Sequence, residues 1–336
     1  MQATELAPPS APLNLRVGQL VEVRSADEIY ATLDEHGELE SLPFMPEMVS
    51  FCGRQLRVQA VAHKICDTMT RSGMRKMHNA VHLVGGRCDG AEHDGCQADC
   101  LMYWKEAWLK PVPRGQERPQ PTTDDSSRLL PLVMAASRRE PGEDGTPRYR
   151  CQATELLRAA PEPLPMRNAA QYVQDVRSGN VGFFWMLRAV SVALFNRAQT
   201  VSTKVLPRFL LFRGGLHWKF LRGKLDQTPN LETGLQAGDM VRVKSKQEIL
   251  ATLNKDLLNR GLGFDPEMAR FCGRTVRVAR RVNTIIDEKT GKMLSMKYPC
   301  IVLEGVVCEG AYNASCMRAI PAYWREIWLE RVSEKA

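Results

Sequence analysis

The sequence predicts an α+β protein, mainly β, with two tandem copies of a small β-barrel domain flanking a central linker and helical region. Three observations carry this reading. Residues 18–112 and 238–332 align without a gap at a constant offset of 220. Within each copy, short alternating stretches such as Leu20-Val-Glu-Val23 and Met240-Val-Arg-Val243 read as strands. Between the copies the alternation is lost and the pattern turns helical. Self-similarity over 95 positions outranks local propensity, because it sets the number of folding units before any element is assigned.

The elements of each copy follow in order. Ser25-Ala-Asp-Glu28 and Ser245-Lys-Gln-Glu248 are capping boxes, in which the serine accepts from an orphan amide and the glutamate reaches back. A helix of one to two turns should follow, ending near Leu33 and Leu253. Pro46 and Pro266 suit the first position of another short helix, where a missing N–H costs nothing. Gly53 and Gly273 can stop it in the left-handed region. Leu56–Ile65 and Val276–Ile286 are rich in branched residues and read as strands. Turns at Gly73 and Gly291 lead into Val81–Val84 and Ile301–Leu303. Trp108–Val112 and Trp328–Val332 close each unit. A strand, an inserted helix and several more short strands resemble an SH3-like barrel. The Gly-x-x-Val-x-Val opening at Gly18 and Gly238 is similar to the start of KOW-type barrels, a likeness of fold only.

Five segments result: a disordered tail over 1–17, the first repeat over 18–112, a flexible linker over 113–147, a helical region over 148–236, and the second repeat over 238–332. The linker assignment rests on its Pro, Arg and charge content. The helical pattern from Asn168 to Phe195 breaks at Ser178-Gly-Asn180. From 182 to 224, Leu, Phe and Trp interleave with Arg and Lys. Packing against the repeats accounts for such a stretch, and so does peripheral membrane contact.

Hydrophobic content of 44% and charged content of 25% are those of an ordinary globular protein, and 336 residues bury a core without disulfides. The polar, Pro-rich start lacks the n- and h-regions of a secretory signal, and no run of eighteen apolar residues spans a bilayer. A cytoplasmic location is expected, and ten cysteines then read as thiols or metal ligands. The net charge of +8 allows an anionic partner without demanding one.

Chemistry concentrates in Cys88-Asp-Gly-Ala-Glu-His93-Asp-Gly-Cys96-Gln-Ala-Asp-Cys100. Thiolates and imidazole are the ligands of zinc and iron–sulfur centres. Cys96 and Cys100 have the spacing at which one turn presents two sulfurs to one ion. Cys88, His93, Cys96 and Cys100 make a complete tetrahedral set for Zn²⁺. The second copy retains Cys308 and Cys316 but has Asn313 and Ile320 where the first has His93 and Cys100. Two thiols alone do not easily hold zinc, so Cys308 and Cys316, like Cys52 and Cys272, read as core thiols. Cys151, unmatched in either repeat, can replace His93 or Cys88, and Cys88, Cys96, Cys100 and Cys151 together would favour an iron–sulfur cluster. A purely structural thiol cluster is the competing reading.

Tyr103, Trp104 and Trp108 recur as Tyr323, Trp324 and Trp328, which points to core rather than ligand stacking. His82 stands where the second copy has Val302, so it reads as a satisfied core histidine. No nucleotide loop, nucleophile elbow or zinc-protease motif is present. Three functions compete. The first is a non-catalytic metal-binding accessory protein whose repeats dock a protein partner. The second is an enzyme using the Cys/His loop or its metal, with Glu92 or Asp94 as the nearby acid or base. The third is an RNA-binding protein built on small barrels; the basic balance favours it weakly, because neither repeat shows a basic-aromatic strip.

Overall fold

In a computed structural model, residues 12–113, 115–116, 125–312 and 314–332 are described. The first repeat contributes strands β1 (Leu20–Val23), β2 (Gln55–Val61), β3 (Ala80–Leu83), β4 (Trp104–Lys105) and β5 (Leu109–Pro111). They form one antiparallel sheet in the order β4-β3-β2-β1-β5. The second repeat contributes β6 (Met240–Val243), β7 (Thr275–Ile286), β8 (Met293–Val307), β9 (Pro321–Trp324) and β10 (Leu329–Arg331), in the equivalent order β9-β8-β7-β6-β10. The register repeats as well: Leu20 faces Arg57 as Met240 faces Arg277, and Val23 faces Leu109 as Val243 faces Leu329.

The sheets are open, and the barrels expected from the sequence do not form. The edge strands of the first sheet are only two and three residues long, and a three-residue 3₁₀ turn, Glu106–Trp108, links them. Strands that short offer too few ladder groups to continue hydrogen bonding around a closed wall.

Local signals explain the start of each repeat. Helix α1 (Ala26–Tyr30) begins at the Ser25 cap, whose hydroxyl accepts from the Glu28 amide while the Glu28 carboxylate accepts from the Ser25 amide. Pro46 opens a 3₁₀ turn, Pro46–Phe51, and Gly53 follows at φ 73°. The alternating residues Val21 and Val23 point into the core. There Phe44 meets Trp108 edge-on with centroids 5.1 Å apart, and the Trp108 indole donates to Thr32 Oγ1 at 3.1 Å. Phe264, Trp328 and Thr252 repeat this arrangement. The recurring tryptophans are therefore core residues.

Several boundaries differ from the sequence expectation. Residues 12–17 are not a free tail. The Leu15 side chain is buried, and the Leu13 amide donates to Glu106 Oε2 at 2.5 Å. Residues 1–11 of that tail, and 114 and 117–124 of the linker, lie outside the described residues. The rest of the linker is structured: α2 (Leu129–Ala136) buries Leu129 and Val133 in the first core, and Arg138–Arg139 pairs with Arg148–Tyr149. Enough apolar side chains occur in 129–136 to dock a helix, which the surrounding Pro and charge content obscured.

The helical region is not a separate body either. Helices α3 (Gln152–Ala159) and α4 (Ala170–Ser178) belong to a first compact unit that runs up to Gly182, whereas α5 (Phe183–Val205) belongs to a second. The break between α4 and α5 falls at Gly179, φ 84°, as the Ser-Gly-Asn triplet suggested. In α4, Asp175 is fully buried and accepts from Lys64 Nζ at 2.5 Å and His63 Nε2 at 2.7 Å. The second unit contains the rest of the second repeat and the short helix α6 (Lys246–Leu250), capped by Ser245 as α1 is by Ser25. Two pieces of the second repeat, Thr284–Leu294 and Cys316–Arg318, are counted in the first unit.

Candidate metal centre

Short antiparallel closure creates the cysteine loop. The Arg87–Leu101 bridge and the bond from the Cys88 amide to the Cys100 carbonyl, 2.9 Å, bring both ends together. Inside the loop, the amides of His93 and Gly95 both donate to the Gly90 carbonyl. Gly90 must be glycine here. Its φ is +71°, and a Cβ at this position would lie 2.0 Å from the Cys96 carbonyl oxygen. The bare glycine lets the Cys96 backbone fold back over the start of the loop.

The fold delivers Cys151 to the same place from a distant part of the sequence. It is the N-cap of α3, where its sulfur takes the amide of the third helical residue and its own amide donates to Thr154 Oγ1 at 3.0 Å. Burial pushes the Cys151 thiol up to about 11, helped by the neighbouring Cys96. Cys100 rises to about 12 through burial, with Cys151 and Cys96 adding to the shift. Cys88 rises further, again through burial first, then through Glu47, Cys100 and Cys151. Each of these three thiols thus has at least one other thiol of the set among its neighbours. Cys96 completes the set, and its sulfur accepts the Ile286 amide at 3.3 Å. Cys88 and Cys151 also pack against the first core.

His93 is differently occupied. It is buried, and both ring nitrogens are engaged: Nδ1 with Glu47 Oε1 at 2.6 Å, Nε2 with the Arg150 carbonyl at 3.1 Å. Two acceptors call for two N–H donors, which is the imidazolium form. Burial alone would pull its pKa down, but the hydrogen bond and charge of Glu47 outweigh it and hold the pKa above the usual histidine range. Glu47 is complementary: burial raises it, while His93 and the Cys88 thiol bring it below the carboxylate norm. Among the described residues, Glu47, Cys88 and His93 are the group whose ligand atoms lie within 4.8 Å of one another.

The second repeat shows what that glutamate does where no histidine faces it. Glu267, the counterpart of Glu47, accepts the Glu309 amide at 2.8 Å and the Tyr312 amide at 3.3 Å. In both repeats, then, the glutamate of the Pro-Glu-Met turn tethers the loop, and in the first it does so through His93. Sequence reasoning missed Glu47; its recurrence beside Pro46 and Pro266 was the available signal. Asn313, the residue aligned with His93, lies outside the described residues.

Of the acids considered for catalysis, Glu92 is exposed, and Asp94 is held by the Tyr149 hydroxyl and by Arg138 at 3.3 Å. Of the remaining thiols, Cys52 is buried in the first core, whereas Cys316 is not an isolated core thiol: its sulfur lies 3.1 Å from that of Cys66. The Cys66 amide donates to Cys316 Sγ at 3.2 Å, and Arg318 donates to the Cys66 carbonyl. Residues 66 and 286, and 96 and 316, are each 220 apart, so the two amide-to-sulfur bonds are reciprocal in the repeat register.

Zinc and an iron–sulfur cluster ask for different sulfur spacings. Zinc binds sulfur at about 2.3 Å, which in a tetrahedron places thiolates roughly 3.8 Å apart. No three of Cys88, Cys96, Cys100 and Cys151 lie within 4.8 Å of one another. An iron–sulfur cluster is larger and holds its four thiolates further apart, each on a different iron in the cubane form. The chain offers four sulfurs, two of them, Cys88 and Cys151, packed against the first core, and amide N–H groups directed at Cys96 and Cys151, which is the kind of donor set such a cluster uses. No family model, no curated protein and no solved structure matches this chain.

Proposed function

We propose that the chain is a non-catalytic accessory protein whose first unit holds an iron–sulfur cluster on Cys88, Cys96, Cys100 and Cys151. The observation that supports it is the arrival of Cys151, from outside either repeat, among the three loop thiols. Cys88, Cys100 and Cys151 are each pushed up by burial and by a neighbouring thiol, so they are unfavourable as thiolates, and a polynuclear cation would supply the countercharge they lack. When bound, the cluster would supply one-electron chemistry or a covalent staple for the loop. The chain's own part is to exclude water and to direct the Ile286 amide at Cys96 and a first-turn amide of α3 at Cys151. Such bonds tune a cluster's potential. His93 and Glu47 then act as the loop's internal tether. An enzymatic centre finds less support, because Glu92 is exposed and Asp94 is engaged elsewhere.

The test is anaerobic purification followed by iron and acid-labile sulfide analysis. A brown protein with about four of each per chain is expected. Cys100→Ala and Cys151→Ala should both lose the colour, while Cys52→Ala, buried in the first core and outside the proposed ligand set, keeps it. A colourless protein with one zinc and no sulfide would overturn the cluster, as would a Cys151→Ala variant that retains full iron.

A further inference from the structure

The second unit carries a surface that neither sheet explains. Between Phe183 and Leu225 the chain has eight Lys or Arg and no Asp or Glu. Acids make up 38 of 336 residues, so about five would be expected in a stretch of this length. The same stretch leaves large apolar side chains in solvent. On α5, the exposed residues Phe183, Leu187, Leu194, Val201 and Val205 are spaced 4, 7, 7 and 4 apart. At 3.6 residues per turn they fall within about 40° of one another. They form one apolar stripe along 23 residues. Arg197 and Lys204 fall on one flank of the stripe, where long side chains can lie along it and present their charges beyond.

The segment after the helix extends this face. Phe209 is 84% exposed and follows Arg208, and Leu210 and Phe212 are exposed beside it. The segment is nonetheless fixed in place. Gln199, buried, donates from Nε2 to the carbonyls of Phe212 and Leu216, both at 2.9 Å. Phe195 meets Phe212, Trp218 and Phe220 edge-on, with centroids 5.9–6.1 Å apart. A hydrophobic face this exposed is therefore built and held in place by internal contacts. A patch of this kind marks an interaction site.

We propose that this face docks onto anionic lipid headgroups, with α5 lying in the plane of a membrane surface. Charge complementarity selects that partner. Apolar side chains flanked by cations, without one acid over 43 positions, suit a surface that is apolar beneath and negative at its boundary. No helix among the described residues is long and apolar enough to cross a membrane, so the contact is interfacial.

Vesicle flotation tests this with the full chain. Partition onto phosphatidylcholine vesicles containing phosphatidylglycerol is expected, falling as salt rises, with little onto phosphatidylcholine alone. The double variant Leu194→Glu/Phe209→Glu should lower it at least tenfold. Both side chains are exposed, so its circular dichroism and melting should match the parent. A second variant, Arg197→Gln/Lys204→Gln/Arg208→Gln, keeps the apolar stripe and should lower partition roughly a hundredfold, about fivefold per cation. Absence of binding to anionic vesicles, or unchanged binding by either variant, overturns the proposal. A lipid-free dimer that Leu194→Glu/Phe209→Glu dissociates would also overturn it and make the face a self-association surface.

Discussion

His82 shows how a single side chain can add to one repeat an acid response that the other, with Val302 at that position, lacks. It is fully buried on β3, its Nδ1 donates to the Met102 carbonyl at 2.9 Å, and its Nε2 has no partner among the described residues. The neutral ring fits this setting and the imidazolium does not. Burial drives its pKa down to about 4, with Arg318 and Arg87 adding to the effect and the Met102 bond opposing it. Because the folded value lies below the unfolded one, the unfolded chain binds more protons between about pH 6.5 and 4. Stability should fall across that window as pH drops, by about 3 kcal/mol if the full shift is realised. His82→Val copies the residue that the second repeat has at Val302 and should flatten the slope. Chemical denaturation of parent and variant at several pH values checks this, and equal slopes would refute it. The sequence suggested a core histidine from the Val302 comparison alone. It gave no sign that one ring nitrogen would be left without a partner, since that depends on which groups β4 and the loop bring near.

At the level of elements, the periodic and capped segments were legible, and the closures were not. Ser25, Ser245, Pro46 and Gly53 each act locally, so their effects could be read from neighbouring residues. Whether two short edge strands meet depends on twist summed over the whole sheet, and no residue pattern marks it. The cysteine loop was legible as a set of ligand types, with Cys151 already open as a replacement for His93 or Cys88, but that Glu47 occupies His93 needed the fold. His93 is claimed by Glu47, and α3 brings in Cys151 from 51 positions beyond Cys100. Gly90 provides a test at this level. Gly90→Ala places a methyl against the Cys96 backbone in a conformation that side chains rarely adopt. It should cost on the order of 3 kcal/mol and lower bound iron well below the parent. Gly85→Ala, also at positive φ but with open space around it, controls for the backbone strain and should keep the iron. Equal iron in both variants would show that the Cys96 fold-back is not required.

At the level of the molecule, two hydrophobic cores are separate. One gathers side chains from Leu15 to Ala160, the other from Leu221 to Leu329. Separate cores predict separable unfolding. Calorimetry should show two transitions, and stripping iron with an oxidant and chelator should lower only one, by roughly 10 °C for a loss of a few kcal/mol. A single transition that moves as a whole would mean the cores melt together. The duplication was plain in the sequence because it needs only alignment. The placement of helices α3 and α4 in one unit and α5 in the other was not, since it depends on packing that no local pattern marks.

The two pieces of the second repeat that complete the first unit have a consequence for how this chain can be divided. A fragment ending before residue 238 would contain every proposed cluster ligand and the whole first core, yet would lack Ile286, Cys316 and Arg318. Cys96 would lose the amide directed at its sulfur, and Cys66 would lose its thiol neighbour. The minimal stretch for a complete first unit therefore reaches to residue 318. A gene that began as one repeat and doubled would have become indivisible once each copy's loop leaned on the other's hairpin, and neither half could then be shed alone.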